Sequence, residues 1–348
     1  MGNHHKKSSK NKENSININN DKNQKNEIVE EKNNDKELIP EEKGKYFKYE
    51  KFLDFKTKKV IDISLLNDGR ISCCHRYCLI IYNDKYEKNQ IPFDGKCCNQ
   101  LVLKNNLIVL GFYADIQILY QNEPYETFQV IKIDGKAVSF LELPESKFIA
   151  GILNKTIKIV TYKLNSKTKN YESQEEIKDI NVGNTSLSLY LINNKKFVAA
   201  FSDAETLNFY DIKNEKINLL STLKNISCSY GRKICTLIND NILIVGGINQ
   251  KGFYLINLKK VEVIGIINDY NINRVHSIIK LKNGNILVGL ADEKWDCNIY
   301  ELKFENNKFL KIRELERCIH DGEIYGICEI KENRICSGGY YGDVIIYK

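Results

Sequence analysis

The sequence of 348 residues has no run approaching the roughly 18 consecutive apolar residues that a spanning helix requires, and its N-terminus lacks the apolar core of a secretory signal. A cytoplasmic chain without a spanning helix is therefore expected. It has no C-x-x-C pair and no glycine-rich loop of the kind that follows a strand and cradles phosphate, and only one tryptophan, Trp295. With no export signal, the 11 cysteines read as reduced thiols used as small core residues, not as a disulfide framework. Positive charge is not concentrated either. The net charge of +7 is spread thinly over the chain, which argues against a nucleic-acid footprint.

What is present falls into two parts. Residues 1–45 are almost all Asn, Lys, Glu, Ser and Asp, too poor in apolar side chains to bury a core, and are read as a disordered tail. Lys6, Lys7, Lys10 and Lys12 precede the first acid, whereas residues 13–45 carry six lysines against nine acids, so a basic tip hangs on an acidic tether. The opening MGNHHKKSSK places Gly2 where N-myristoylation occurs, with Lys6 standing where that pattern has Ser or Thr. Gly2 is the candidate lipidation site, and peripheral membrane contact through the tail is the expectation that goes with it, the basic cluster supplying the second signal that one acyl chain needs. The alternative is a solvated tail whose second residue happens to be Gly.

From residue 46 onward short runs of Ile, Val, Leu, Tyr and Phe alternate with Asn, Asp and Gly turns, and no useful helical period appears. An all-β chain is expected. The runs recur seven times, as RISCCHRYCLIIYN, NLIVLGFYADIQILYQ, KFIAGILNKTIKIVTYK, KFVAAFSDAETLNFYD, NILIVGGINQKGFYLIN, NILVGLADEKWDCNIYE and RICSGGYYGDVIIYK. A small residue marks each copy, at Cys74, Gly111, Gly151, Ala200, Gly246, Gly289 and Gly338, with spacings of 37, 40, 49, 46, 43 and 49. That spacing is the length of a four-stranded propeller blade, roughly 40 to 45 residues. The small residue is expected where a blade packs closely near its narrow inner part. The last copy ends one strand short, unless Tyr46 to Phe55 supplies the missing strand and removes the free edge. The domain reading is thus a tail, 1–45, and a seven-bladed β-propeller, 46–348, closed by the segment 46–55.

These copies resemble the WD-repeat β-propeller family over about residues 46 to 348. The best match is IHDGEIYGICEIKENRICSGGYYGDVIIYK, where His320, Gly322, Gly338 and Asp343 stand at the family's His, turn Gly, small residue and turn Asp. Asp115, Asp203 and Asp292 hold comparable turn positions, and Asn154 and Asn249 replace the acid in two copies. The Trp-Asp signature is absent, Tyr-Asn, Tyr-Gln and similar pairs standing in its place, so the family's Ser/Thr-His-Trp-Asp network is not expected in most blades. Kelch propellers are the rival architecture, through Gly246-Gly247 and Gly338-Gly339, a pair the other five copies lack.

No chemistry converges in the pattern. Cys73, Cys74, Cys78, Cys97 and Cys98 surround His75, but neighbouring strand residues point to opposite faces, so core packing is preferred to a metal site. At the channel mouth the resemblance places Asp62, Asn99, Lys136, Ser186, Lys233, His276 and Glu323, without paired carboxylates or a His cluster. No catalytic residue, metal or cofactor is expected. The paired-Arg motif of lipid-binding propellers is absent, Gly231-Arg232-Lys233 being the nearest run. The loops of one face carry aromatics suited to binding, and the candidate partner contacts are Tyr113, Tyr230, Trp295, His320, Tyr340 and Tyr341, with Lys251 and Lys294 nearby. The expected function is a non-catalytic scaffold binding a protein or peptide; the alternative is an enzyme or small-ligand binder using the central channel.

Overall fold

A computed structural model describes residues 46–53, 59–154, 156–180, 187–202, 204–229, 233–248, 252–268, 272–292, 296–315, 320 and 322–348. Gly2, Ser186, Asp203, Tyr230 to Arg232, Asn249, Lys251, Lys294 and Trp295 lie outside them. Every element among the described residues is a strand, and the strands form seven antiparallel sheets of four, one of which gains a fifth, parallel strand. In blades 1 to 6 the first strand is innermost and the next three follow outward in chain order, so blade 2 reads Asn99–Leu103, Leu107–Gly111, Asp115–Tyr120 and Thr127–Lys132 from centre to rim, while blade 7 takes its fourth strand from the start of the chain. Several of the hairpin turns use Asn in the left-handed region, as at Asn106 (φ 61°), Asn306 (50°) and Asn333 (61°), which short polar side chains tolerate best.

The hydrophobic core is divided. Seven buried clusters occur, each shared by two neighbouring blades, so the ring has one cluster at every junction and none belonging to a single blade. The small residue of each repeat explains how the blades meet. A Cβ added at Gly246 would lie 2.6 Å from Val275, at Gly289 2.8 Å from Ile327, and at Gly338 2.6 Å from Val60 and 2.7 Å from Ile63. In each case the atom met belongs to the inner strand of the following blade. Cys74 and Ala200 fill the same position in blades 1 and 4, fully buried against the next blade. Where the ring closes the approach is to backbone. A Cβ on Gly326, in the inner strand of blade 7, would sit 2.6 Å from the backbone nitrogen of Ile63 in blade 1.

Polar groups reinforce the junctions. Asn99 Nδ2 donates to the Val138 carbonyl at 2.9 Å, the Leu189 amide to Ser139 Oγ at 3.2 Å, and the Lys104 and Lys282 amides to the carboxylates of Glu142 and Glu329 at 2.7 and 2.9 Å. The first two satisfy groups that burial would otherwise penalise, and the last two lie at the exposed end of their junctions.

The segment read as one strand over 46–55 divides between two blades. Tyr46–Phe47 pairs in parallel with Glu314 and Leu315 on the rim of blade 6, whereas Tyr49–Leu53 pairs antiparallel with Val344–Tyr347 as the fourth strand of blade 7. The division has a physical cause. Phe47 is buried in the cluster between blades 6 and 7 with the Arg313 guanidinium 4.2 Å from its ring centre, and Lys48 exchanges both backbone hydrogen bonds with Lys348. Glu50 then takes Arg334 in a two-pronged ion pair, one bond at 2.7 Å, the stronger geometry for a carboxylate.

Replacing Gly338 by Val is expected to lower stability by roughly 1–3 kcal/mol or more through overpacking against Val60 and Ile63. Gly265→Ala, whose Cβ meets only one methyl at 4.0 Å, should stay within about 0.5 kcal/mol of the parent. Urea unfolding followed by circular dichroism measures both; equal losses would refute the junction role of the small residue.

Candidate functional site: the face where the inner strands begin

At one face of the ring the inner strands start and each second strand turns into the third. Tyr113 lies in such a turn of blade 2, 58% exposed, and Tyr340 and Tyr341 in that of blade 7, 42% and 62% exposed. Lys136, the first residue of the inner strand of blade 3, holds its ammonium 5.4 Å from the Tyr113 ring centre. Tyr340 and Tyr341 meet edge to face at 5.1 Å. Three of the six sequence-derived contact residues are thus exposed on this face, and Tyr230 and Trp295 fall outside the described residues.

His320 requires a correction. Its side chain is buried, one ring nitrogen against the Asp343 carboxylate and Nε2 2.7 Å from Ser337 Oγ. An ionised carboxylate only accepts, so Nδ1–H donates to Asp343, while Nε2 and the Ser337 hydroxyl share a hydrogen bond. Burial raises the Asp343 carboxyl, but the hydrogen bond and charge of His320 outweigh this and hold it below the usual range. The pair lies flat on Gly339, where a Cβ would be 2.7 Å from both groups. His320 therefore ties the chain entering blade 7 to its second and third strands, and offers no surface to a partner. In sequence, its polar neighbours and the turn at Gly322 made it look like a loop residue.

The mouth residues pair with one another. Lys233, at the entry to blade 5, reaches across the channel to blade 1, donating to Asp62 Oδ1 at 2.8 Å, the Ile63 carbonyl at 3.2 Å and Ser64 Oγ at 3.3 Å. Asp62 is 1% exposed, so the carboxylate end of this ion pair is buried. Beside it a cavity of about 510 Å³ runs along the inner strands, lined by Asn99, Gln100, Ser139, Tyr190 and Thr236 among others.

A second group gathers on the inner strands of blades 6 and 7. Arg274 Nη1 donates to Glu323 Oε1 at 2.8 Å, and the Tyr325 hydroxyl donates to Glu323 Oε2. Burial raises the Glu323 carboxyl, yet Tyr325, His276, Arg274 and Lys59 together hold it below the ordinary value. His276 is buried 5.9 Å from the Tyr325 ring, and burial pushes its imidazole down to about 4.

The cysteines serve packing. Cys73 joins the cluster facing blade 7 and Cys74 the one facing blade 2, on opposite sides of one strand, and Cys74 Sγ lies 3.1 Å from Cys97 Sγ. Burial pushes the Cys228 thiol up to about 12, the opposite of what a nucleophile needs.

Neither a family model nor a curated protein matches this sequence. Among solved structures, the crystal structure of the WD40 beta propeller domain of Doa1 is similar at 16% identity, with a TM-score of 0.68, over 87% of this chain and 97% of that one. The chain has the WD40 β-propeller fold. Within it the Ser-His-Asp part of the WD40 network is present in blade 7, where Tyr347 occupies the position of the signature Trp and is itself 1% exposed. Asp115, at the corresponding turn of blade 2, pairs instead with Lys132 at 3.2 Å.

Because His276 stays neutral to about 4 when folded and takes a proton near 6.5 when unfolded, its contribution should be intact above that range and lost as pH falls through it. The expected loss is at most about 3 kcal/mol. Comparing urea midpoints of the parent and His276→Gln from about pH 7 to 4 isolates it from the carboxylates; parallel curves would refute a buried neutral imidazole.

Proposed function

We propose that the protein is a non-catalytic interaction scaffold that binds a protein or peptide partner on the face where its inner strands begin. The observation that carries this reading is the exposure of Tyr113, Tyr340 and Tyr341 on one face of the ring. Large aromatics held on fixed turns desolvate well at low entropic cost, which is what binding hot spots use. The WD40 fold is commonly an interaction scaffold, and that supports the same reading at the level of fold. Nucleic acid is not part of the proposal.

A channel ligand is the second reading, favoured by the cavity beside Lys233. The Ala variant of Tyr113, Tyr340 and Tyr341 together separates the two. On the first reading it should weaken partner capture from native cells roughly 100-fold or more while leaving circular dichroism unchanged. Undiminished capture, with small molecules raising the melting temperature, would favour the channel.

A peripheral membrane tether through Gly2 and the lysines behind it completes the proposal. Gly2→Ala is expected to move the protein from the membrane to the soluble fraction of a cell extract, and an unchanged distribution would remove the tether.

A further inference from the structure

Lys59 immediately precedes the inner strand of blade 1 and reaches over the junction with blade 7. Its ammonium lies 4.1 Å from the ring centre of Tyr325 and 4.6 Å from that of Tyr340. The two rings stand 6.1 Å apart, inclined by 37°, and Tyr341 buttresses Tyr340 from outside. The Glu323 carboxylate is within electrostatic reach of the same ammonium. Two electron-rich ring faces and a carboxylate around one cation form an ammonium cage, and in this chain the occupant comes from the chain itself.

We propose that this cage is a recognition site for an alkylammonium group of a protein partner, a lysine side chain or its methylated form, which displaces Lys59. The walls do not depend on Lys59 for their position. Tyr325 is fixed by its bond to Glu323, and Glu323 by Arg274 at 2.8 Å, so the site remains assembled when Lys59 leaves. Exchange is accessible, because Tyr340 is 42% exposed and a cation–π contact at a partly exposed site is among the weaker ones. Lys59 thus acts as a competitive stand-in that raises the threshold for weak cations. The inference rests on the proposed binding face only for the partner's origin, and the cage is tested without any partner.

Tetramethylammonium chloride is titrated into the whole chain labelled with fluorotyrosine, against sodium chloride at equal ionic strength, and followed by fluorine NMR. Lys59→Ala should bind the probe roughly ten-fold more tightly than the parent, and Tyr340→Ala in that background should abolish the gain. Lys59→Gln, which keeps most of the stem and loses the charge, replaces the alanine variant if that one melts early. Equal affinity in parent and Lys59 variants, or a gain that survives Tyr340→Ala, overturns the cage and leaves Lys59 a packing role. The expected probe response beside partner capture that the aromatic variant leaves undiminished would keep the cage and remove the binding face, whereas lost capture with a gain that survives Tyr340→Ala would do the reverse.

Discussion

The structure depends on one steric condition. Where the second strand of a blade passes the inner strand of the next, there is room for at most a small side chain. Gly246, Gly289 and Gly338 meet Val275, Ile327 and Val60 there at distances a Cβ does not tolerate. Because each blade is positioned by its neighbour, apolar burial is distributed over the junctions, and no blade holds a core of its own. Each blade in such a ring therefore draws much of its stability from its neighbours. The turns at its faces carry little of that burden, which leaves them free to bear Tyr113, Tyr340 and Tyr341 in exposed positions.

The architecture was legible in the sequence because its requirement is local and repeated. A small residue after an apolar triplet can be found seven times without knowing what it touches. What it touches was not legible: close packing near the narrow inner part of a blade was readable, but not that the partner is the inner strand of the next blade. The segment 46–55 was similarly half readable. A fourth strand was missing and a candidate lay at hand, but the assignment of Phe47 to the pocket between blades 6 and 7 follows from the curvature of the closed ring, which no local pattern records.

The same limit applies to the face. Exposed tyrosines in polar turns announced themselves, whereas His320 looked equally polar and is buried by Ser337 and Asp343, residues 17 and 23 positions further on. Lys233 and Asp62 are 171 residues apart and meet only across the closed channel. Lys59, Tyr325 and Tyr340 come from opposite ends of the propeller and form one cluster because blade 7 docks on blade 1. The chemistry at the mouth is therefore a product of closure. Side chains that look unrelated along the chain meet there, Lys233 with Asp62 and Arg274 with Glu323.

The strand Tyr49–Leu53 also bears on how the molecule comes into being. It leaves the ribosome before any blade, yet its partner, Val344–Tyr347, is made only after the other six blades. While those blades are made this strand has nothing to pair with, and the junctions of blade 7 with blades 1 and 6 cannot form. The nascent ring is an open arc with two sticky ends, one of them carrying Phe47 and the other not yet made. Closure is thus a long-range step that waits for synthesis of the seventh blade, and the interval before it is when the arc is most exposed to capture by chaperones or by a neighbouring chain.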